Sequence, residues 1–287
     1  MKMPEDNDIT IVTAFFDIGR GSISHTDGFP KCLTRTNETY FEYFSNLASL
    51  DNDMVIFTTP EHEKMIRSLR KNKPTTIILI DIFKEFSHLL NKIEQIQNDP
   101  IFQSKIPESL RKNIEYWNAK YVLVTNLKSY FVSQAITNNL ARNKMVAWVD
   151  FGYVRNQDTL NDVKKWKYKF DSSKIHLFTI RKTYDLDCIE HVYQAIFNNE
   201  VFVIGGCIVA SCEKWQEFYQ MTQFHQQELM QKNIVDDDQG LILMCLFKSK
   251  GAFKLNYLGK NNWFSLFKKY DQTSRISWIE KLKDKFI

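Results

Sequence analysis

Apolar and polar positions fall in distinct blocks along the first two thirds of the chain. The runs Ile9–Phe16, Met54–Thr58, Thr76–Ile80 and Met145–Val149 are short, rich in β-branched residues and bounded by polar turns. That is the pattern of strands buried on both faces. Between them, apolar residues recur at helical spacing: Tyr40, Phe41, Phe44 and Leu47, then Met65, Ile66 and Leu69, then Phe86, Leu89, Leu90 and Ile93. The segment Glu115–Asn139 carries Tyr116, Val122, Leu123, Leu127, Tyr130 and Phe131 and predicts one or two helices packed on the sheet. Further on, Ile175–Ile180 reads as a strand. Val201–Ile204 and Ile208–Ala210 read as two more, separated at Gly205-Gly206 by a bend where backbone approaches a ligand. A helix is expected from about Glu213 to Met230.

Strands alternating with helices predict an α/β fold, a mostly parallel sheet flanked by helices. The sequence contains no internal repeat, no Pro- or Ser-rich linker and no low-complexity tract. One domain over residues 1–250 with a helical C-terminal extension over 251–287 is the economical division. Ligands of such sheets sit beyond the carboxyl ends of the strands, which selects Asp17, Asp81 and Asp150, each close behind an apolar run.

At 287 residues, 44% hydrophobic and 14% aromatic, the chain has the composition of a globular protein able to bury a core. Its formal charge of +4 is too small for nucleic-acid binding by bulk electrostatics, so any basic function must be local. The five cysteines, Cys32, Cys188, Cys207, Cys212 and Cys245, include no C-x-x-C pair. That favours a reducing cytoplasm over a disulfide framework or a zinc knuckle. The first apolar run follows the acidic segment Pro4-Glu5-Asp6-Asn7-Asp8 and is too short for a leader or a membrane span. No H-E-x-x-H, G-x-S-x-G, G-x-G-x-x-G or P-loop pattern occurs, which disfavours zinc, acyl-enzyme, dinucleotide and P-loop chemistry.

Three places could carry chemistry. In Phe15-Phe16-Asp17-Ile18-Gly19-Arg20-Gly21, an arginine in a glycine-bearing loop at a strand end can grip a phosphate with its planar fork, or be a surface residue of a turn. In Trp148-Val149-Asp150-Phe151-Gly152-Tyr153, the strand-end acid suits a divalent cation, a ribose hydroxyl or a helix cap. Asp236-Asp237-Asp238-Gln239 opens an apolar helix, so its acids are either an N-terminal cap at Asp236 or Asp237, or core-edge carboxylates of which one serves as general base.

Taken together, Ile11–Gly21, Glu115-Tyr116-Trp117-Asn118 with Lys120, Tyr121 and Lys128, Trp148–Tyr153, Gly205-Gly206 and Asp237-Asp238-Gln239 resemble the bacterial HtrL/YibB-like proteins over about residues 9–250. That family in turn looks like glycosyltransferases of the GT-A type. The resemblance implies that Phe15, Phe16, Asp17 and Arg20 line a nucleotide pocket, an aromatic against the base and Arg20 near the diphosphate. It places Lys128 near the nucleotide sugar, Gly205 and Gly206 beneath the sugar or acceptor, and Asp237, Asp238 and Gln239 in the catalytic-acid region. Asp150 matches the first acid of the D-x-D motif, the residue that holds the ribose and a Mn²⁺ or Mg²⁺ ion. The second acid is replaced by Gly152. Either Asp150 holds metal largely through water and diphosphate, or Arg20, Arg155 and lysines such as Lys128 neutralise the leaving group.

The expected activity is transfer of a sugar from a nucleotide donor, UDP-linked, to a glycan or lipid-linked acceptor of surface-polysaccharide assembly in the cytoplasm. A metal-dependent nucleotidyl or phosphoryl transferase and a non-catalytic glycan-binding module are the alternatives. Within 251–287, eight basic residues (Lys254, Lys260, Lys268, Lys269, Arg275, Lys281, Lys283, Lys285) face three acids, and Ile276, Ile279, Leu282 and Phe286 fall at helical spacing. This stretch is either a helix packed on the domain or a basic face resting on an anionic inner leaflet.

Overall fold

The computed structural model of the chain describes residues 7–22, 29 and 34–272. Seven strands are present among them: β1 (Ile9–Ala14), β2 (Met54–Thr58), β3 (Thr75–Leu79), β4 (Met145–Val149), β5 (Ile175–Thr179), β6 (Val203–Ser211) and β7 (Phe253–Tyr257). They form one sheet in the order β3-β2-β1-β4-β6-β5-β7. β1 is parallel to β2 and β4, β2 to β3, and β5 to β7, while β6 is antiparallel to both its neighbours. The fold is therefore the expected mostly parallel sheet flanked by helices.

Side-chain alternation explains why the strands are apolar throughout. Val12, Ala14 and Phe16 enter one core, and Ile9, Ile11 and Phe15 enter the other. The first face is covered by helices Ala119–Asn126, Lys128–Thr137, Cys212–Gln231 and Asp238–Lys248, the second mainly by Asn37–Leu47 and Pro60–Arg70. Several of these helices start where the sequence supplies an oxygen-bearing cap. Asn118 accepts the Tyr121 N–H at 2.9 Å, Ser211 accepts that of Lys214 at 3.3 Å, and Asp237 accepts that of Gln239 at 2.9 Å.

The chain winds outward from β1 through β2 to β3, then returns to the far side of β1 as β4. The strand order thus reverses between β1 and β4, and a crevice opens beyond their carboxyl ends. Asp17 and Asp150 stand at that crevice. Asp81 follows the edge strand β3 instead, and its carboxylate caps the helix Ile82–Glu85 through the Lys84 N–H at 3.1 Å.

Three elements differ from expectation. β3 is only partly buried, because it is the sheet's edge and one side lacks a neighbour. The two strands expected around the double glycine are one strand, β6. Its pairing with β4 continues unbroken to Val149 opposite Cys207, while its register with β5 jumps from Leu177 opposite Ile208 to Thr179 opposite Val203. Gly205-Gly206 therefore forms a bulge rather than a bend between strands. Finally, Phe253–Tyr257 lies at the other edge of the sheet as β7, so the sheet continues past residue 250 into the expected extension. Residues 273–287, which carry the expected membrane-facing stripe, lie outside the described residues. Among the described residues no helix is long and apolar enough to cross a membrane.

Candidate functional site

A cavity of about 350 Å³ occupies the crevice, and Phe15, Phe16, Asp17, Arg20, Lys128, Asp150, Gly205, Gly206, Asp237, Asp238 and Gln239 all line it. They converge from four directions: the loop after β1, the loop after β4, the bulge of β6, and the facing helices at Lys128 and Asp238.

Part of the cavity wall is built of carboxylates around a single ammonium group. Lys128 Nζ lies 2.9 Å from Asp150 Oδ1 and 2.7 Å from Asp238 Oδ2, and donates to the Gly205 carbonyl at 3.0 Å. All three of its N–H groups are thereby used. Burial alone would lower the Lys128 pKa, but Asp150 and Asp238 outweigh it and hold the ammonium charged. Asp150 Oδ1 also accepts the Trp148 indole N–H at 2.7 Å, a second contact that holds the carboxylate in place. Burial pushes the Asp238 carboxyl up to about 7, with Lys128 opposing the shift and Asp237 and Asp150 adding to it.

The β6 bulge makes room for this cluster. A Cβ on Gly205 would stand 1.6 Å from Asp238 Oδ2, so the absent side chain is the space the carboxylate occupies. Gly206 is less constrained, its nearest neighbour being the Tyr153 ring at 3.1 Å.

The neighbouring acids have other duties. Asp236 Oδ2 accepts the Gly240 N–H at 2.8 Å, and Asp237, the helix cap, accepts the Gln239 N–H and the Tyr121 hydroxyl, the latter at 3.2 Å. Gln239 uses both ends of its amide on the Val203 backbone, at 3.1 and 2.8 Å, and so ties this helix to β6. Behind them Glu115 is pushed up to about 8, by burial first and then by Asp237, and stays protonated at neutral pH. Because Asn caps a helix nearly as well as Asp, Asp237→Asn should cost about 1 kcal/mol or less in urea unfolding and leave turnover nearly unchanged. A collapse of activity with stability intact would move the reactive carboxylate to Asp237.

Three guanidinium groups line the cavity as well. Arg20, only 9% exposed, donates to the Tyr40 hydroxyl, and its guanidinium carbon lies 5.3 Å from the centre of the Tyr121 ring. Arg155 sits over Tyr43 at 4.4 Å and Phe264 at 5.4 Å, and Arg35 also lines the cavity. Asp17 stays at the exposed rim. The Gly19 N–H at 2.8 Å and then the Asn37 amide at 2.9 Å hold its pKa below the usual range. Phe15 and Phe16 reach the cavity with little surface, since Phe15 packs on Phe151 and Phe16 stacks on Phe131. The open aromatic faces belong to Trp263 and Phe264, 36% and 41% exposed at the rim.

The donor set does not fit a divalent cation. The described residues contain no group of three His, Cys, Asp or Glu side chains arranged to hold one. The Lys128 ammonium fills the gap between Asp150 and Asp238. At the second D-x-D position, a Cβ on Gly152 would lie 2.9 Å from the Tyr40 ring.

Residues 7–272, a range that contains every described residue, match the family described as "Bacterial protein of unknown function (HtrL_YibB)". The chain belongs to the HtrL/YibB family. It is 45% identical to Protein HtrL of Escherichia coli (strain K12) over 259 residues, covering 90% of this chain and 91% of that one. Among solved structures, the crystal structure of mouse xyloside xylosyltransferase 1 in its apo form aligns with a TM-score of 0.39 at 11% identity, over 86% of this chain and 84% of that chain.

This HtrL/YibB chain also places in the cavity three residues that the pattern of its sequence did not single out as a group: Arg35, Tyr40 and Phe264. Tyr40 was legible only as one of the apolar residues of an amphipathic helix. Its hydroxyl, turned toward Arg20, gives it a second role that spacing alone does not reveal.

Proposed function

We propose that the chain transfers a sugar from a nucleotide-sugar donor to a hydroxyl of a glycan or lipid-linked acceptor. The observation that carries this reading is the lining of one cavity: three guanidinium groups with no carboxylate partner among the described residues, together with the Asp150 and Asp238 carboxylates pinned by one lysine. A donor that joins an anionic diphosphate to a hydroxyl-rich sugar matches that combination of groups.

In the proposed reaction the acceptor oxygen attacks the anomeric carbon, and the bond from that carbon to the diphosphate oxygen breaks with its electron pair leaving on the diphosphate. Asp238 accepts the acceptor's proton, a role supported by its raised pKa and its place at the cavity wall. If the anomeric configuration is retained, the same carboxylate stabilises the oxocarbenium-like centre instead. Asp150 accepts hydrogen bonds from ribose or sugar hydroxyls through its second oxygen. Trp263 and Phe264 offer their exposed faces to an acceptor ring.

Incubation with UDP-, GDP- and ADP-sugars and mixed glycan acceptors tests the proposal. Release of nucleoside diphosphate matched by glycosylated acceptor is the expected result, with UDP-sugars as the first donors to try. Release of pyrophosphate or nucleoside monophosphate would replace it by nucleotidyl or phosphoryl transfer, and glycan binding without turnover by a binding module.

A further inference from the structure

Arg20, Arg35 and Arg155 line one cavity, and none of them forms an ion pair with a carboxylate among the described residues. Two of their donor groups are stranded: Arg20 Nε and Arg155 Nη1 are buried without a hydrogen-bond partner. A buried donor left unpaired is costly, and a charged one more so. Burial lowers the Arg155 pKa first, and the like charge of Arg35 lowers it further, so the two cations crowd one another. Stacking on Tyr40 and Tyr121, and on Tyr43 and Phe264, fixes where Arg20 and Arg155 point. What would relieve these guanidinium groups is a compact polyanion that supplies acceptor oxygens to several forks at once.

The places that a cation would take are filled by side chains. A second acid of a D-x-D pair at Gly152 would place its Cβ 2.9 Å from the Tyr40 ring, so that ring would have to move to admit it. The Tyr40 hydroxyl receives Arg20 instead. The two carboxylates that remain, Asp150 and Asp238, already share the Lys128 ammonium.

Resting on the nucleotide-sugar reading above, we infer that Arg20, Arg35 and Arg155 bind the donor's two phosphates directly with no divalent cation, and that Lys128 fills the cation's place between Asp150 and Asp238. The guanidinium groups then balance the diphosphate, both in the bound donor and as charge builds on the leaving group. Lys128, with every N–H already engaged, acts as a positioning residue for the two carboxylates rather than as a phosphate ligand.

Isothermal titration calorimetry of the full chain with UDP, GDP, ADP and inorganic pyrophosphate, each in EDTA and again in Mn²⁺ or Mg²⁺, tests this. At least one nucleoside diphosphate should bind with the same Kd, within about twofold, in both buffers. Arg155→Gln and Arg35→Gln should each weaken it about tenfold or more, as expected for loss of one charge-assisted contact. Arg35 is half-buried, so that variant should fold even if Arg155→Gln does not, and melting curves will identify any failure to fold. Nucleotide binding that appears only with the metal would overturn the metal-free site and leave the nucleotide-sugar reading standing. Pyrophosphate binding in EDTA without any nucleotide binding would uphold the anion site and overturn the nucleotide reading. Silence from all four ligands in both buffers, or full affinity retained in both folded arginine variants, would overturn the inference.

Discussion

Asp238→Asn should lower the rate of sugar transfer by a factor of about 10²–10⁴, the usual worth of a positioned general base. Asn keeps the shape of the side chain and an oxygen that can still accept from Lys128, so the fold should survive, with a melting temperature close to that of the parent. What is lost is the ability to take up a proton. Because burial pushes this carboxyl up to about 7, the parent's kcat/KM should fall as pH drops below neutrality, when the base becomes protonated, and level off above it. The same acidic limb should be missing from the residual activity of Asp238→Asn. Near-parental turnover in that variant would remove Asp238 from the chemistry.

Gly205→Ala should be almost as damaging, through the same carboxylate. The new methyl group would begin 1.6 Å from Asp238 Oδ2 and 2.5 Å from its Cγ, far inside contact distance. The carboxylate cannot step aside cheaply, since it is buried and held by Lys128 at 2.7 Å. Either it leaves Lys128, or β6 moves and takes the Gly205 carbonyl away from the same ammonium. The expected cost is about 1–3 kcal/mol in stability, as for other overpacked sites, and most of the activity. Because both substitutions act on one group, adding Gly205→Ala to Asp238→Asn should reduce the rate little further. Asp238→Gly should relieve the clash and return the stability lost to Gly205→Ala without returning activity. Independent, additive losses of stability and rate would show that the glycine serves something other than this carboxylate.

The parts of the fold that could be read in the sequence are those set by local pattern. β1, β2 and β4 are buried on both faces, so they appear as unbroken apolar runs, and the acids that end β1 and β4 stand at the switch point for that reason. β7 was hidden because it is an edge strand. Phe253 and Asn256 face inward while Lys254 and Leu255 face solvent, and that mixture carries no clear period. β6 looked like two strands because glycine usually weakens a strand, whereas here the strand runs on through both glycines, with the Asp150 N–H donating to the Gly206 carbonyl at 2.9 Å.

Within the site, the residue set could be collected from the sequence, but not how its charges are shared. That Lys128 would be consumed by Asp150 and Asp238 depends on three segments more than 20 residues apart meeting at one point. The run of three acids mixes roles: Asp237 caps the helix and Asp238 pairs with Lys128, although both line the cavity. The replacement of a second acid by Gly152 was visible. Its physical reason, the ring of Tyr40 from a helix more than 100 residues earlier, was not.

A crystal structure of the chain with an unhydrolysable nucleotide-sugar analogue, grown in EDTA, would show how a nucleotide sugar lies in the cavity. The diphosphate should lie against Arg20 and Arg155 and the sugar over Gly205, within reach of Asp150 and Asp238. A nucleotide bound outside the cavity, or bound in reverse with its base between Asp150 and Asp238, would contradict this placement.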